Sequence, residues 1–346
     1  MLYYKKLKIF YIINKFKYLL YYNIIEMEQT VKNEEETTNI LKTRTSTEHN
    51  GMELTIAMVL LYRINDCDEL INILYDMIKY EETFDNKLKF NNENDFYEYI
   101  IDIVKKEKYI NEYIENFKKM IGSFSCFTLE NIEYIYVSGK INKHSEIDEL
   151  NNGLCKLEAK SDVYIKQKNG EFIGLSVKQS KAATKSNYSV QKILKEETNK
   201  LLTEIKKKYL LEQGFPRFNK SDREKVNALF YPENEENPYM RKLKEEIEKN
   251  KQMICNFLVE KLYCSNVTYD VYEFDGKQLN KLMKPNDNMN VTFEEYLPYY
   301  FDNKGEKRKA AKLFYRLTCG YKIYRVEVRW KGNINNASPQ FQIHEE

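Results

Sequence analysis

Apolar positions along the chain change period several times, and each change marks an element. From Leu54 the runs LTIAMVLLYRI and DELINILYDMIKY place apolar residues at helical spacing, and DFYEYIIDIVKKEKYINEYIENFKKMI carries the pattern to about Ile121. These stretches predict a group of helices packed on the more C-terminal part of the chain. IEYIYVSGK (132–140) shortens the period and enriches Ile, Tyr and Val, which predicts a strand or a helix-to-strand transition. SDVYIKQ (161–167) and EFIGLSVKQ (171–179) are the clearest strands, joined by KNG. SVQKILKEETNKLLTEIKKKYLL (189–211) predicts a long amphipathic helix. A further helix begins near Pro238, a residue suited to an early helical position. VTYDVYEF (267–274) and YKIYRVEVRWKG (321–332) predict strands, and GEKRKAAKLFYRL (305–317) predicts a basic helix. Strands framed by helices on both sides point to an α/β or α+β fold.

The N-terminal end follows a different pattern. Residues 1–26 are rich in Lys, Tyr, Phe and Ile, and their apolar runs are broken by Lys15 and Lys17, too early for a spanning helix of about 20 apolar residues. We read them as an upstream extension with Met27 as the functional start, rather than as a basic amphipathic anchor, and expect no stable membrane association. EQTVKNEEETTNILKTRTSTEHN (28–50) reads as a linker. The expected organisation is a poorly ordered extension and linker over 1–50, a helical region over 51–125 packed on the core, and a core over 126–346.

Composition narrows the chemistry. The 346 residues carry a formal charge of +2, so a nucleic-acid footprint would have to be local. Six cysteines without a CxxC suggest reduced thiols in an intracellular protein, not a disulfide framework or a zinc site. Only His49, His144 and His344 occur, which argues against histidine-rich metal sites and leaves any Ser-His-Asp or Cys-His arrangement to His144 alone. No GxxxxGK[ST] occurs, which removes a P-loop.

Asp162 and Lys178 become interesting through the loop between their strands. A two-residue Asn169-Gly170 turn would pair 168 with 171 and put them on opposite faces. A three-residue loop with Gly170 in the left-handed conformation would pair 167 with 171, so that Asp162 faces Ser176 and Lys178 follows on the same side. One residue of register separates the two outcomes. On a shared face, a carboxylate can hold Mg²⁺ together with retained waters, and a lysine can orient or help deprotonate a water that attacks phosphorus. The carbonyl of Val177 could also reach such a metal. The alternative is a hairpin whose charges are simply solvated.

Asp162, thirteen intervening residues, then Ser176-Val177-Lys178 resembles the PD-(D/E)xK motif of the restriction-endonuclease-like superfamily, in the flavour of type II restriction endonucleases. The family pattern has Pro before the aspartate and an acid two residues before the lysine; this chain has Ser161 and Ser176 there. The resemblance implies a mixed sheet flanked by helices and Mg²⁺-dependent cleavage of double-stranded DNA. It makes Asp162 a metal ligand, Ser176 the second ligand position and Lys178 the residue that positions water. It also implies a further acid, for which Glu149 is the first choice, with Glu146, Glu133 and Glu158 as alternatives. Many such enzymes cut as homodimers.

Two stretches supply candidate DNA contacts. KQSKAATKSNYSVQK offers Lys181, Lys185 and Asn187 beside small hydroxyls. YRVEVRWKGNINNASPQFQI (324–343) alternates as a strand with Arg325, Glu327, Arg329 and Lys331 on one face, and resembles the C-terminal strand of some restriction endonucleases. Each stretch has a plain alternative, as a turn-rich loop and a solvated outer face. Two rival functions remain: a DNA-binding or regulatory protein on the same fold without catalysis, and a helical scaffold or membrane-associated interaction protein.

Overall fold

Alternating β-formers assemble the centre of one sheet from three strands, β2 (Ile132–Val137), β3 (Val163–Gln167) and β4 (Phe172–Val177), each antiparallel to the next. In this computed structural model the described residues are 51–79, 87–90, 99–100, 102–103, 106–138, 144–154, 161–181, 183–217, 220–232, 234–283, 289–331, 334 and 337–346. The expected extension and linker over 1–50 lie outside them. β1 (Leu88–Phe90) adds parallel to β2, and β6 (Asp270–Phe274) adds parallel to β4. β7 (Leu279–Leu282) closes the other edge antiparallel to β6, giving six strands in the order β1-β2-β3-β4-β6-β7.

A second sheet of five antiparallel strands runs β5-β11-β10-β9-β8. Its members are β5 (Ser186–Ser189), β8 (Val291–Glu295), β9 (Lys312–Cys319), β10 (Lys322–Trp330) and β11 (Pro339–Glu345). The architecture is thus mixed α and β with two sheets.

Helices cover both sheets. α1 (Gly51–Tyr62) is buried from Gly51 through Leu61 and packs against α3 (Glu107–Ile121) and β2. A helix apolar on every side belongs inside a core. α2 (Cys67–Lys79) also packs on α3. The short α4 (Ser145–Leu150) buries Ile147 against Tyr136 and Tyr164. α5 (Glu196–Glu212), α6 (Arg223–Leu229), α7 (Pro238–Lys249) and α8 (Lys251–Leu262) share a core with one face of the second sheet, which contributes Tyr315, Val326, Val328, Trp330 and Phe341. Residues His49–Glu346 form one compact unit, so the helical region and the sheets are not separate bodies. Among the described residues no helix is long and apolar enough to cross a membrane.

Three expectations need correction. The basic helix over 305–317 is absent: Lys312–Cys319 is β9, paired on both sides, with Leu313, Tyr315, Leu317 and Cys319 alternating into the core. Tertiary pairing overrides the helix preference of Lys, Arg and Ala. The helix expected from Ser189 begins at Glu196, after β5 and a 3₁₀ turn at Val190–Lys192. The helix from Pro238 is two, broken at Asn250.

Candidate active site

The loop between β3 and β4 settles the register. Gln167 N–H donates to the Glu171 carbonyl at 2.8 Å, and Gly170 N–H donates to the Gln167 carbonyl at 2.9 Å. Gly170 has φ +85°, the left-handed conformation that glycine adopts without a Cβ penalty. The loop is Lys168-Asn169-Gly170, and the pairing Val163↔Leu175 continues to set Asp162 opposite Ser176.

Asp162 is then pinned where the strand ends. Its own N–H donates to the Leu175 carbonyl at 2.9 Å. Its Oδ2 accepts from the Val177 N–H at 2.7 Å and lies 3.5 Å from the Ser176 hydroxyl. Lys178 Nζ stands 3.8 Å from the same oxygen, with about a fifth of its side chain and a quarter of that of Asp162 left accessible. The backbone of Lys178 is held on both sides: its N–H donates to the Phe274 carbonyl at 2.8 Å, and its carbonyl accepts from Tyr113 Oη at 3.1 Å. Gly174 makes the close approach possible, because a Cβ there would lie 2.0 Å from Ser161 Oγ and 2.8 Å from the Tyr269 ring. Ser161 precedes Asp162, so this contact sets the entry of the aspartate.

The fourth member comes from α1. Glu53 is an acid inside the otherwise apolar run MELTIAMVLL and is 6% exposed. Tyr99 Oη donates to its Oε2 at 3.1 Å. Burial holds its carboxyl well above the usual range, and the charge of Asp162 pushes the same way against the Tyr99 hydrogen bond and Lys178. Burial likewise raises Asp162, opposed by the Lys178 ammonium, the Val177 amide and the Ser176 hydroxyl. Tyr113 is raised by burial first, then by Asp162, Glu53 and Asp275. The charges of Asp162 and Lys178 thus both act on Glu53, in opposite directions.

Glu149 does not join them. It is exposed near the end of α4, while Glu146 of the same helix pairs with Lys166 at 3.0 Å and accepts from Tyr136 Oη at 2.7 Å. Glu133 is half-buried on β2, and Glu158 lies outside the described residues. Glu53 was legible as the single charge in an apolar helical run, although spacing from the motif gives no hint of it.

The donor set suits a small hard cation in part. Mg²⁺ is held by one or two carboxylates and keeps several waters. Asp162 and Glu53 supply the carboxylates, and a cation near both would offset the burial and, after it, the Asp162 charge that raise Glu53. Ser176 is 1% exposed and contributes at most a hydroxyl. The Val177 amide donates to Asp162 Oδ2 at 2.7 Å, which ties the Val177 backbone to the same carboxylate. Among the described residues no group of three or more His, Cys, Asp or Glu side chains is gathered for a metal.

The expected DNA contacts divide. Lys181 is exposed and donates to the Glu346 carbonyl at 3.2 Å, and Lys331 is exposed just past β10. Lys185 is a correction: only 3% of its side chain is accessible, and it pairs with Glu273 at 2.6 Å and Glu345 at 3.3 Å. Its charge is used to join β6 of the first sheet to β11 of the second, so it is not offered to a phosphate. Arg325, Arg329 and Asn187 share the outer face of the second sheet, away from the core. There the register sets Arg325 between Arg316 and His344, Arg329 between Lys312 and Gln340, and Glu327 between Phe314 and Gln342, with Asn187 beyond Gln342. Glu327 draws Lys312 at 3.1 Å, Arg325 at 3.3 Å and Arg329 at 3.6 Å. A separate cleft of about 640 Å³ is rimmed by Arg241, Lys244, Glu295, Tyr300 and Arg308, and contains none of the motif residues. No protein-family model, curated protein or solved structure matches this chain.

Proposed function

We propose that the chain is a Mg²⁺-dependent endonuclease that hydrolyses phosphodiester bonds of double-stranded DNA, on a restriction-endonuclease-like core of the PD-(D/E)xK kind and in the manner of a type II restriction enzyme. The single observation that carries this reading is that the hairpin register, which could have separated them, brings Lys178 Nζ to 3.8 Å from Asp162 Oδ2. Asp162 and Glu53 are the residues that would hold the metal. The ion, when bound, supplies a Lewis acid and lowers the pKa of a coordinated water. Lys178 has its backbone fixed from two sides and its ammonium in reach of solvent. In this scheme it orients the attacking water and balances charge that grows on the phosphate. Tyr113 keeps Lys178 in position through the backbone and does not reach the substrate in this scheme.

A second reading has one observation in its favour. Ser176 stands where the family motif carries an acid, and its buried hydroxyl is a weak ligand. The chain would then bind DNA without cutting it.

Supercoiled plasmid incubated with Mg²⁺ separates the two. The endonuclease reading expects nicked and linear products that EDTA abolishes and that Lys178→Ala reduces by about 10²- to 10⁴-fold, with DNA binding retained. Binding with no cutting by the parent protein, or cutting unchanged in Lys178→Ala, would falsify it.

A further inference from the structure

The cleft of about 640 Å³ is a feature that the candidate active site leaves unused. It falls within the range of small-molecule sites, about 300–1,000 Å³. One wall is α7, where Met240 and Lys244 lie one turn apart on the same face with Arg241 beside them. Another wall is the connection from β8 to β9, which supplies Leu297, Tyr300, Phe301, Lys307 and Arg308. That connection is built rather than loose. Leu297–Tyr300 form a 3₁₀ turn, and Phe301 bridges to Lys307. Asp302 Oδ1 accepts from the Lys304 and Glu306 N–H groups at 2.8 and 2.9 Å, and Gly305 turns the chain at φ +78°. The Arg308 N–H donates to the Tyr300 carbonyl. Phe301, Lys307 and Arg308 are therefore held together on one short hydrogen-bonded hairpin.

The lining describes its occupant. Four cations, Arg241, Lys244, Lys307 and Arg308, face two carboxylates, Glu235 and Glu295. Glu295 is already used: Lys244 pairs with it at 2.9 Å, and Tyr300 Oη donates to it at 3.2 Å. Among the described residues no ion pair joins Arg241, Lys307 or Arg308 to an acid, so three cations in one cleft are open to an anion. Guanidinium groups hold carboxylates and phosphates through paired hydrogen bonds. Beside these cations Leu297 and Phe301 keep 59% and 41% of their surface exposed. Large apolar side chains left open together on one rim mark a binding surface, as scattered ones do not. The amides of the lining are spent within the fold. Asn237 Oδ1 accepts from the Tyr239 and Met240 N–H groups, and its Nδ2 donates to the Leu229 carbonyl. Asn234 Nδ2 donates to Tyr209 Oη and to the same carbonyl. A nucleobase or a sugar would find few groups to pair with its polar edges, whereas an apolar body needs none.

We propose that this cleft binds an amphipathic acid. Arg241, Lys307 and Arg308 hold its phosphate or carboxylate head, and its apolar body lies along Met240, Leu297 and Phe301. The cleft shares no residue with Asp162, Ser176 and Lys178, so the proposal stands apart from the endonuclease reading.

The test is calorimetric titration of the full-length protein with octyl phosphate and with octanoate, each below its micelle concentration. Octanol, inorganic phosphate and adenosine monophosphate are titrated beside them. At least one of the acids should bind one-to-one and about 10-fold or more tighter than those three. The double variant R241Q/K307Q removes two exposed charges and should weaken that binding about 10-fold or more. Phe301→Ser changes an exposed side chain, should weaken it about 3- to 10-fold, and serves alone if the double variant does not fold. Melting temperatures of the unliganded variants show which are folded. No binding by either acid overturns the proposal, as do affinities that neither variant changes. Octanol or inorganic phosphate binding as tightly as the acids overturns it, because one half of the ligand would then suffice. Tightest binding by adenosine monophosphate overturns it in favour of a nucleotide. Co-sedimentation with vesicles containing phosphatidic acid separates two sources of the same chemistry. Capture that R241Q/K307Q loses assigns the cleft to a lipid, and binding of the soluble acids without capture assigns it to a free acid.

Discussion

Glu53 and Glu149 are both glutamates near the start or end of a helix, yet their surroundings give them opposite prospects. Glu149 is exposed, where water and salt screen its charge. Glu53 sits in a buried helix with a tyrosine hydroxyl on one oxygen and the charge of Asp162 within range. Burying an ionised carboxylate beside another opposes folding, and a protein keeps such a group where activity requires it. Glu53→Gln should therefore lower Mg²⁺-dependent cleavage by about 10²-fold or more while leaving the melting temperature equal or higher. Glu149→Gln should change neither. Plasmid cleavage and thermal unfolding of the two variants, side by side, measure this; equal effects on cleavage would remove Glu53 from the site.

At the scale of elements, the sequence was most informative where local chemistry decides and least where pairing does. Asn169-Gly170 announced a turn but left its length open between two and three residues; Gly170 at φ +85° and the pairing of 167 with 171 make it three, and from that loop the positions of Asp162, Ser176 and Lys178 follow. KLFYRLTC misled because its basic residues favour a helix, while its place between β8 and β10 is set by partners distant in sequence. SNYS, inside a polar run, became a strand only because β11 offers it an edge. The outer face of the second sheet makes a testable element-scale statement through Glu327. Burial pushes its carboxyl up, but Lys312, then Arg325 and His344, outweigh burial and hold it below the ordinary value. A folded-state pKa below the unfolded one gives stability that is present above about pH 4.5 and lost as pH falls through the folded value. Glu327→Gln should cost about 1.5–3 kcal/mol at pH 7. It should also flatten the acid limb of a melting-temperature-versus-pH curve, and tighten non-specific DNA binding at low salt by removing a repulsive charge.

For the whole molecule, the question is what makes two sheets one body. Lys185 answers part of it, since its ammonium joins Glu273 of β6 to Glu345 of β11 with almost no access to water. Taking away one member of such a buried pair leaves unpaired charge behind, at a cost of about 3–5 kcal/mol. Lys185→Met should lower overall stability by that order and weaken cleavage more than it weakens DNA binding, because it loosens the sheets relative to each other. Denaturant unfolding, with cleavage and binding measured on the same preparation, checks both parts. A variant that remains as stable as the parent would show that the ion pair is dispensable.

The chain does not finish one sheet before starting the other. β5 leaves β4 for the second sheet, β6 and β7 return to the first, and β8 through β11 go back again. The two sheets therefore cannot be inherited or exchanged as cassettes. Grafting a foreign segment after β7 would leave β5 without its neighbour β11, and replacing β5 would remove an edge strand of the second sheet. New properties in such a chain must arise through point changes on a shared framework. A lineage built this way would change one side chain at a time, with both sheets under common constraint.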